Sequence, residues 1–301
     1  LEEAQIGGQL QHPGVVPIYE LGTFADRRPF FAMKLVKGQT LAALLRQRSG
    51  PADDVPRFLS IFQAIAQTMA YAHTRGVIHR DLKPSNVMVG SFGEVQVMDW
   101  GLAKVLSRGG AFDDARAGKA EETVVETARR GHDTDLSRAG SVFGTPSYMA
   151  PEQARGEVDR LDERCDVFAL GSILCEVLTG CPAYIGRTSA EIIKKAGLGQ
   201  TTDTLARLDA CGADGELIVL ARDCLAVARD DRPRDARVVA DRVLVYLTGV
   251  RERLRLAEIA QASESARAEE AVKTAAEANE RARAERQARR FQAGLAVSLL
   301  A

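Results

Sequence analysis

The chain has 301 residues, 46% of them hydrophobic, enough to bury a substantial core in one large or two ordinary domains. Its 40 Lys and Arg against 41 Asp and Glu leave a formal net charge of -1, so no overall basic field marks it for nucleic acid. The five cysteines (Cys165, Cys175, Cys181, Cys211, Cys224) are odd in number and form no CxxC pair, which speaks against a disulfide framework and a zinc site and for a reducing compartment.

Leu1 is not a start methionine, and residues 1–11 (LEEAQIGGQLQ) already read as the end of a helix, so the front is expected to be a truncation rather than a signal segment. His12-Pro13-Gly14 stops that helix, because proline and glycine do not continue it. The branched and aromatic runs at 15–24 (VVPIYELGTF) and 28–36 (RPFFAMKLV), joined by Ala25-Asp26-Arg27, predict a hairpin. Helical patterns follow at about 40–48 and 55–75, then short strands around 87–89 and 95–98, then amphipathic helices from 151 to 248. No internal repeat is visible.

From about 107 to 140 the chain turns polar, with glycines, mixed charges and several Ser and Thr, and reads as an exposed insert with a short helix near 119–130. Residues 249–290 form a charged helix: 251–290 lack Pro and Gly and carry Glu269 to Lys273, Glu277 to Arg281 and Glu285 to Arg289 at supporting spacing. A dimeric coiled coil would have to use a seam that is mostly Ala. After Arg286, Arg289 and Arg290 comes the uncharged FQAGLAVSLLA (291–301), at most half the ~20 apolar residues of a membrane span; with its basic flank it reads as the start of one.

The strongest chemical signal is HRDLKPSN at 79–86, followed by VMDWG at 97–101. Phosphoryl transfer asks a protein mainly to position reactants and neutralise charge. One carboxylate takes the proton of the acceptor hydroxyl, and Asp81 suits that role. Asn86 and Asp99 supply the hard oxygen donors that magnesium requires, and Lys83 can reach the moving phosphoryl as a point charge. His73 is expected at a helix end, His79 beneath the loop and His132 in the insert, with no companion ligands at zinc spacing.

HRDLKPSN, DWG and GTPSYMAPE in this order resemble the eukaryotic-type protein kinases, above all bacterial membrane-anchored Ser/Thr kinases of the PknB type, over about residues 1–248. The resemblance implies an α+β kinase fold with a partial N-lobe at 1–36 and a mainly helical C-lobe at 37–248, followed by the juxtamembrane helix. It implies ATP and Mg2+ as cofactors, with the glycine-rich loop and the strand lysine falling ahead of Glu3. Lys83, two residues after Asp81, is the Ser/Thr form of the loop. DWG in place of DFG keeps Asp99 for magnesium and Trp100 for packing.

By the same resemblance Glu3 is the helix glutamate that pairs with the lysine, Met33 the gatekeeper, and Lys34-Leu35-Val36 the adenine-gripping hinge. Lys34 in AMK imitates the catalytic lysine but lies after Glu3, on the wrong side. Gly7 stands where the family often has a packing side chain. Residues 99–152 become the activation segment, with Gly144-Thr145-Pro146 at the substrate site. Arg80 beside Asp81 implies activation by phosphorylation, with Ser141, Ser137 and Thr134 as candidates and Thr145 among the regulatory positions. Asp166 is the helix aspartate bracing the loop, and Arg232 the partner of Glu152, both structural.

The expected activity is transfer of the ATP γ-phosphoryl to protein Ser/Thr by the full-length protein, with residues 1–301 alone nearly inactive. The expected partners are ATP, protein substrates, a membrane reached by one C-terminal-side helix from a cytoplasmic domain, and a second copy of the chain. A pseudokinase scaffold is the alternative, opposed by intact Asp81, Asn86 and Asp99; a small-molecule phosphotransferase is opposed by GTPSYMAPE.

Overall fold

The computed structural model describes residues 2–106 and 144–298, the side chains at 2–4, 277 and 288–298 excepted. The chain divides into two compact units, Leu1–Val245 and Tyr246–Ala301.

In the first unit, α1 (Glu2–Gln9) buries Ile6 and ends just before the His12-Pro13-Gly14 stop. β1 (Ile18–Thr23) and β2 (Pro29–Met33) form the expected antiparallel hairpin, pairing Ile18 with Met33 and Thr23 with Pro29. Both strands are shorter than the hydrophobic runs suggest. Val15 and Val16 are buried, and the chain at Gly14 accepts instead from Val97 N at 2.7 Å, so that run serves a different neighbour before the hairpin begins.

β3 (Gln39–Thr40) leads into α2 (Leu41–Gln47), whose first turn is capped by Thr40 Oγ1 accepting from Ala43 N at 3.2 Å. α3 (Val55–Thr74) buries Phe58, Phe62, Ile65 and Met69 at helical spacing. β4 (Val77–Ile78) pairs with β7 (Lys104–Val105), while β5 (Val87–Val89) lies between β3 and β6 (Val95–Val97), every pair antiparallel.

After the short α4 (Pro151–Ala154) comes α5 (Glu163–Thr179), apolar nearly all round and buried along most of its length. Asp162 caps its start, and Gly180 closes it in the left-handed region at φ 79°. α6 (Ser189–Leu198), α7 (Thr202–Ala210) and α8 (Gly215–Cys224) follow.

α9 spans Ala236–Ser298, so the charged stretch expected from 249 is helical. Gly249 alone does not break it; an isolated glycine costs only about 1 kcal/mol against alanine. In the second unit its Leu254, Leu256, Ile259 and Val272 are exposed. Among the described residues no helix is long and apolar enough to cross a membrane. The side chains of 291–301, expected to begin a span, and the insert helix near 119–130 lie outside the described residues.

Candidate active site

The loop between β4 and β5 is organised from below by one buried carboxylate. Asp166, in the first turn of α5 and 1% exposed, accepts from His79 N at 2.8 Å, Arg80 N at 2.9 Å and His73 Nε2 at 3.0 Å. Burial pushes this carboxyl up, but the hydrogen bonds from the His73 side chain and the His79 backbone help to hold it below the usual carboxylate value. His73 does more than end a helix: its Nδ1 accepts from Ala236 N at 3.1 Å, so its proton sits on Nε2, facing Asp166.

His79 is fully buried, with Nε2–H donating to Met98 O at 3.0 Å and Nδ1 accepting from Asp81 N at 3.3 Å. Its ring lies 4.7 Å from that of Trp100, whose indole N–H donates to Val97 O at 3.2 Å. Trp100 is therefore anchored in the core, while Asp99, in the left-handed region at φ 61°, is exposed.

Four side chains converge above this base. Lys83 Nζ donates to Asp81 Oδ2 and to Thr145 Oγ1, each at 2.6 Å, and the Thr145 hydroxyl donates onward to Asp81 Oδ1 at 2.9 Å. Asn86 Nδ2 donates to Asp81 O at 2.9 Å and reaches Asp81 Oδ2 at 3.3 Å. Both carboxylate oxygens of Asp81 are thus oriented by donors drawn from the loop and from the segment leading into α4. A carboxylate held this way beside an ammonium can take a proton from a hydroxyl and neutralise charge moving past it.

Further out, Arg232 meets Glu152 through both terminal nitrogens and also donates to Ala226 O at 2.7 Å, Arg164 O at 3.0 Å and Val227 O at 3.2 Å. Tyr148 OH donates to Glu176 Oε2 at 2.6 Å. Burial raises the Tyr148 hydroxyl strongly, helped by the nearby carboxylate; burial also raises Glu176, against the pull of Tyr148 and Arg46. The motif reading missed His73, Tyr148, Glu176 and Gln153. Only the Tyr in GTPSYMAPE had a signal in the sequence, since the others act through partners far along the chain.

Arg80 directs Nε to Leu102 O at the start of the activation segment. Met33 ends β2, and Lys34 N donates to Pro17 O at 3.0 Å. Lys34 and Val36 line a cavity of about 870 Å³, together with His12, Gly14, Thr68 and Phe92. Asp81, Asn86 and Asp99 do not line it. Glu3 lies on α1, but its side chain, like Thr134, Ser137 and Ser141, is outside the described residues.

A protein kinase domain model matches residues 1–244. The chain is 30% identical over 259 residues to serine/threonine-protein kinase PknD of Protochlamydia amoebophila, covering 83% of this chain and 25% of that protein. It is 38% identical over 198 residues to PknD of Chlamydia caviae, covering 60% and 19%. With PknB of Mycobacterium tuberculosis it shares 33% identity over 221 residues, covering 72% and 31%. The chain therefore spans a third or less of the length of these relatives.

Proposed function

The chain belongs to the protein kinase family, and from that premise we propose that the Asp81 cluster moves the γ-phosphoryl of ATP to Ser and Thr hydroxyls of proteins. The observation that carries the reading is the convergence of Lys83, Asn86 and Thr145 on the Asp81 carboxylate. Asp81 takes the proton of the acceptor hydroxyl as its oxygen bonds to phosphorus and the bond to the ADP oxygen breaks. Lys83 neutralises charge on the moving group. Thr145 holds both side chains to one geometry, so little reorganisation is needed at the moment of transfer.

Asn86 and Asp99 fit magnesium: the Asn86 amide nitrogen is spent on Asp81, leaving its carbonyl oxygen for a cation, and the Asp99 carboxylate is exposed. When bound, the ion neutralises the phosphates. Glu3, Met33, Lys34 and Val36 are the adenine-side and lysine-pairing residues of this reading. Arg80, with its guanidinium already at the start of the activation segment, would hold a phosphate on Thr134, Ser137 or Ser141. The kinase domain would be cytoplasmic, tethered through α9 and a membrane segment beginning near 291, and would pair with a second copy.

The test is autophosphorylation of the full intracellular region with labelled ATP and magnesium, beside Asp81→Asn, with sites mapped by mass spectrometry. Label on insert Ser or Thr that vanishes in Asp81→Asn is the expected result. Absence of label in a folded, ATP-binding protein would leave a scaffold without transfer chemistry.

A further inference from the structure

We propose that Gln153 is a positioning residue for Asp81, holding the peptide that links Arg80 to Asp81; this rests on the reading of Asp81 as the base.

Arg80 occupies the left-handed region at φ 66°. A residue with a side chain held there costs on the order of 1–3 kcal/mol and persists only when its surroundings fix it. On one side, Arg80 N donates to Asp166 at 2.9 Å. On the other, Arg80 O accepts from Gln153 Nε2 at 2.5 Å, in a buried position on α4. That carbonyl belongs to the same peptide plane as Asp81 N, which reaches His79 Nδ1 only at 3.3 Å. Gln153 therefore restrains this plane from its carbonyl side, and the plane sets where the Asp81 Cα–Cβ bond points.

Gly144 presses on the same contact. A Cβ at Gly144 would lie 2.9 Å from Arg80 O and 3.0 Å from Gln153 Nε2, and its backbone is left-handed at φ 113°. Next to it Thr145 donates to Asp81 Oδ1. The stretch from Thr145 into α4 thus reaches the loop twice, once on the Asp81 carboxylate through Thr145 and once on the Arg80 carbonyl through Gln153. Only the first contact involves a motif residue.

The experiment replaces Gln153 by Met, which keeps the length and removes the donor, in the full intracellular region. Two readouts are taken: steady-state kinetics with a Ser/Thr peptide, and hydrogen exchange of peptides covering 79–86 and α5. We expect kcat to fall roughly 10- to 100-fold with KM for ATP unchanged, the scale of a displacement of about 1 Å at a catalytic group. Exchange at 79–86 should rise while α5 stays protected. Unchanged exchange at 79–86 overturns the proposal whatever the activity. Faster exchange throughout α5 also overturns it, because the loss would then be general loosening. If the unsubstituted protein transfers no phosphate but the substitution still raises exchange at 79–86 alone, the restraint stands and the kinase reading is what fails.

Discussion

Arg232 grips Glu152 with both terminal nitrogens, Nη1 on Oε1 at 2.7 Å and Nη2 on Oε2 at 2.9 Å, and neither side chain is more than 5% exposed. Breaking a buried pair leaves one charge uncompensated, which costs about 3–5 kcal/mol. Arg232→Ala should lower stability by that amount in urea denaturation. Arg232→Lys should not restore it, since an ammonium cannot reproduce the planar fork or the three further carbonyl contacts. Full stability in the Lys variant would show that charge alone matters here.

Thr145 accepts from Lys83 and donates to Asp81, so its hydroxyl is the hinge of the cluster. Thr145→Val removes both bonds at nearly constant volume. We predict a fall in kcat of about 10²-fold, the scale of losing one preorganised donor, with Thr145→Ser retaining most of the rate. Equal kinetics for the Val and Ser variants would remove the hydroxyl from the mechanism.

Asp166 sets an acid limit on the fold. Its carboxyl is held below the ordinary value of about 3.9, so near that pH the unfolded chain binds more protons than the folded one. The stabilisation is complete above about pH 4 and is lost as pH falls through the lower folded value. Asp166→Asn should be less stable at pH 7 and should show a shallower loss between pH 4 and pH 2 in urea titrations. An unchanged acid slope would assign the limit to other carboxylates.

Gly171 lies on α5 where an added Cβ would stand 2.6 Å from Cys224 Cβ and 3.2 Å from Cys224 C. Alanine ordinarily gains about 1 kcal/mol over glycine inside a helix. Here the facing atoms are a Cβ and a backbone carbon, which cannot swing aside, and overpacking of a core costs about 1–3 kcal/mol. Gly171→Ala should therefore lower the thermal midpoint. A raised midpoint would mean that α8 shifts away freely.

The parts of the site legible in the sequence are those whose chemistry is local. Asp81, Lys83 and Asn86 lie within six residues, and their side-chain types alone suggest phosphate and magnesium chemistry. Gln153 was silent because its partner is the backbone carbonyl of Arg80, 73 residues away, and a carbonyl carries no residue identity. His73 was underestimated for a similar reason: its two ring nitrogens serve Asp166 and the start of α9, which periodicity cannot connect. Among the elements, α3 and the β5–β6 pair were legible from pattern, whereas the hairpin ends were not, because Val15 and Val16 are apolar for the sake of the core, and Val15 bridges to Val97 rather than to the hairpin.

The reliance of the loop on Asp166 has a bearing on how the chain is made. His79 is translated 87 residues before the carboxylate that anchors it, and His73 is translated 163 residues before Ala236, its other partner. At about 5–20 residues per second, the second interval is roughly 8 to 30 seconds. Until α5 leaves the ribosome, the Asp166 carboxylate is not there to receive Arg80 N, so Asp81 and Lys83 emerge before that anchor of their geometry. A nascent protein would pass through synthesis with its phosphate-handling residues present but uncoupled.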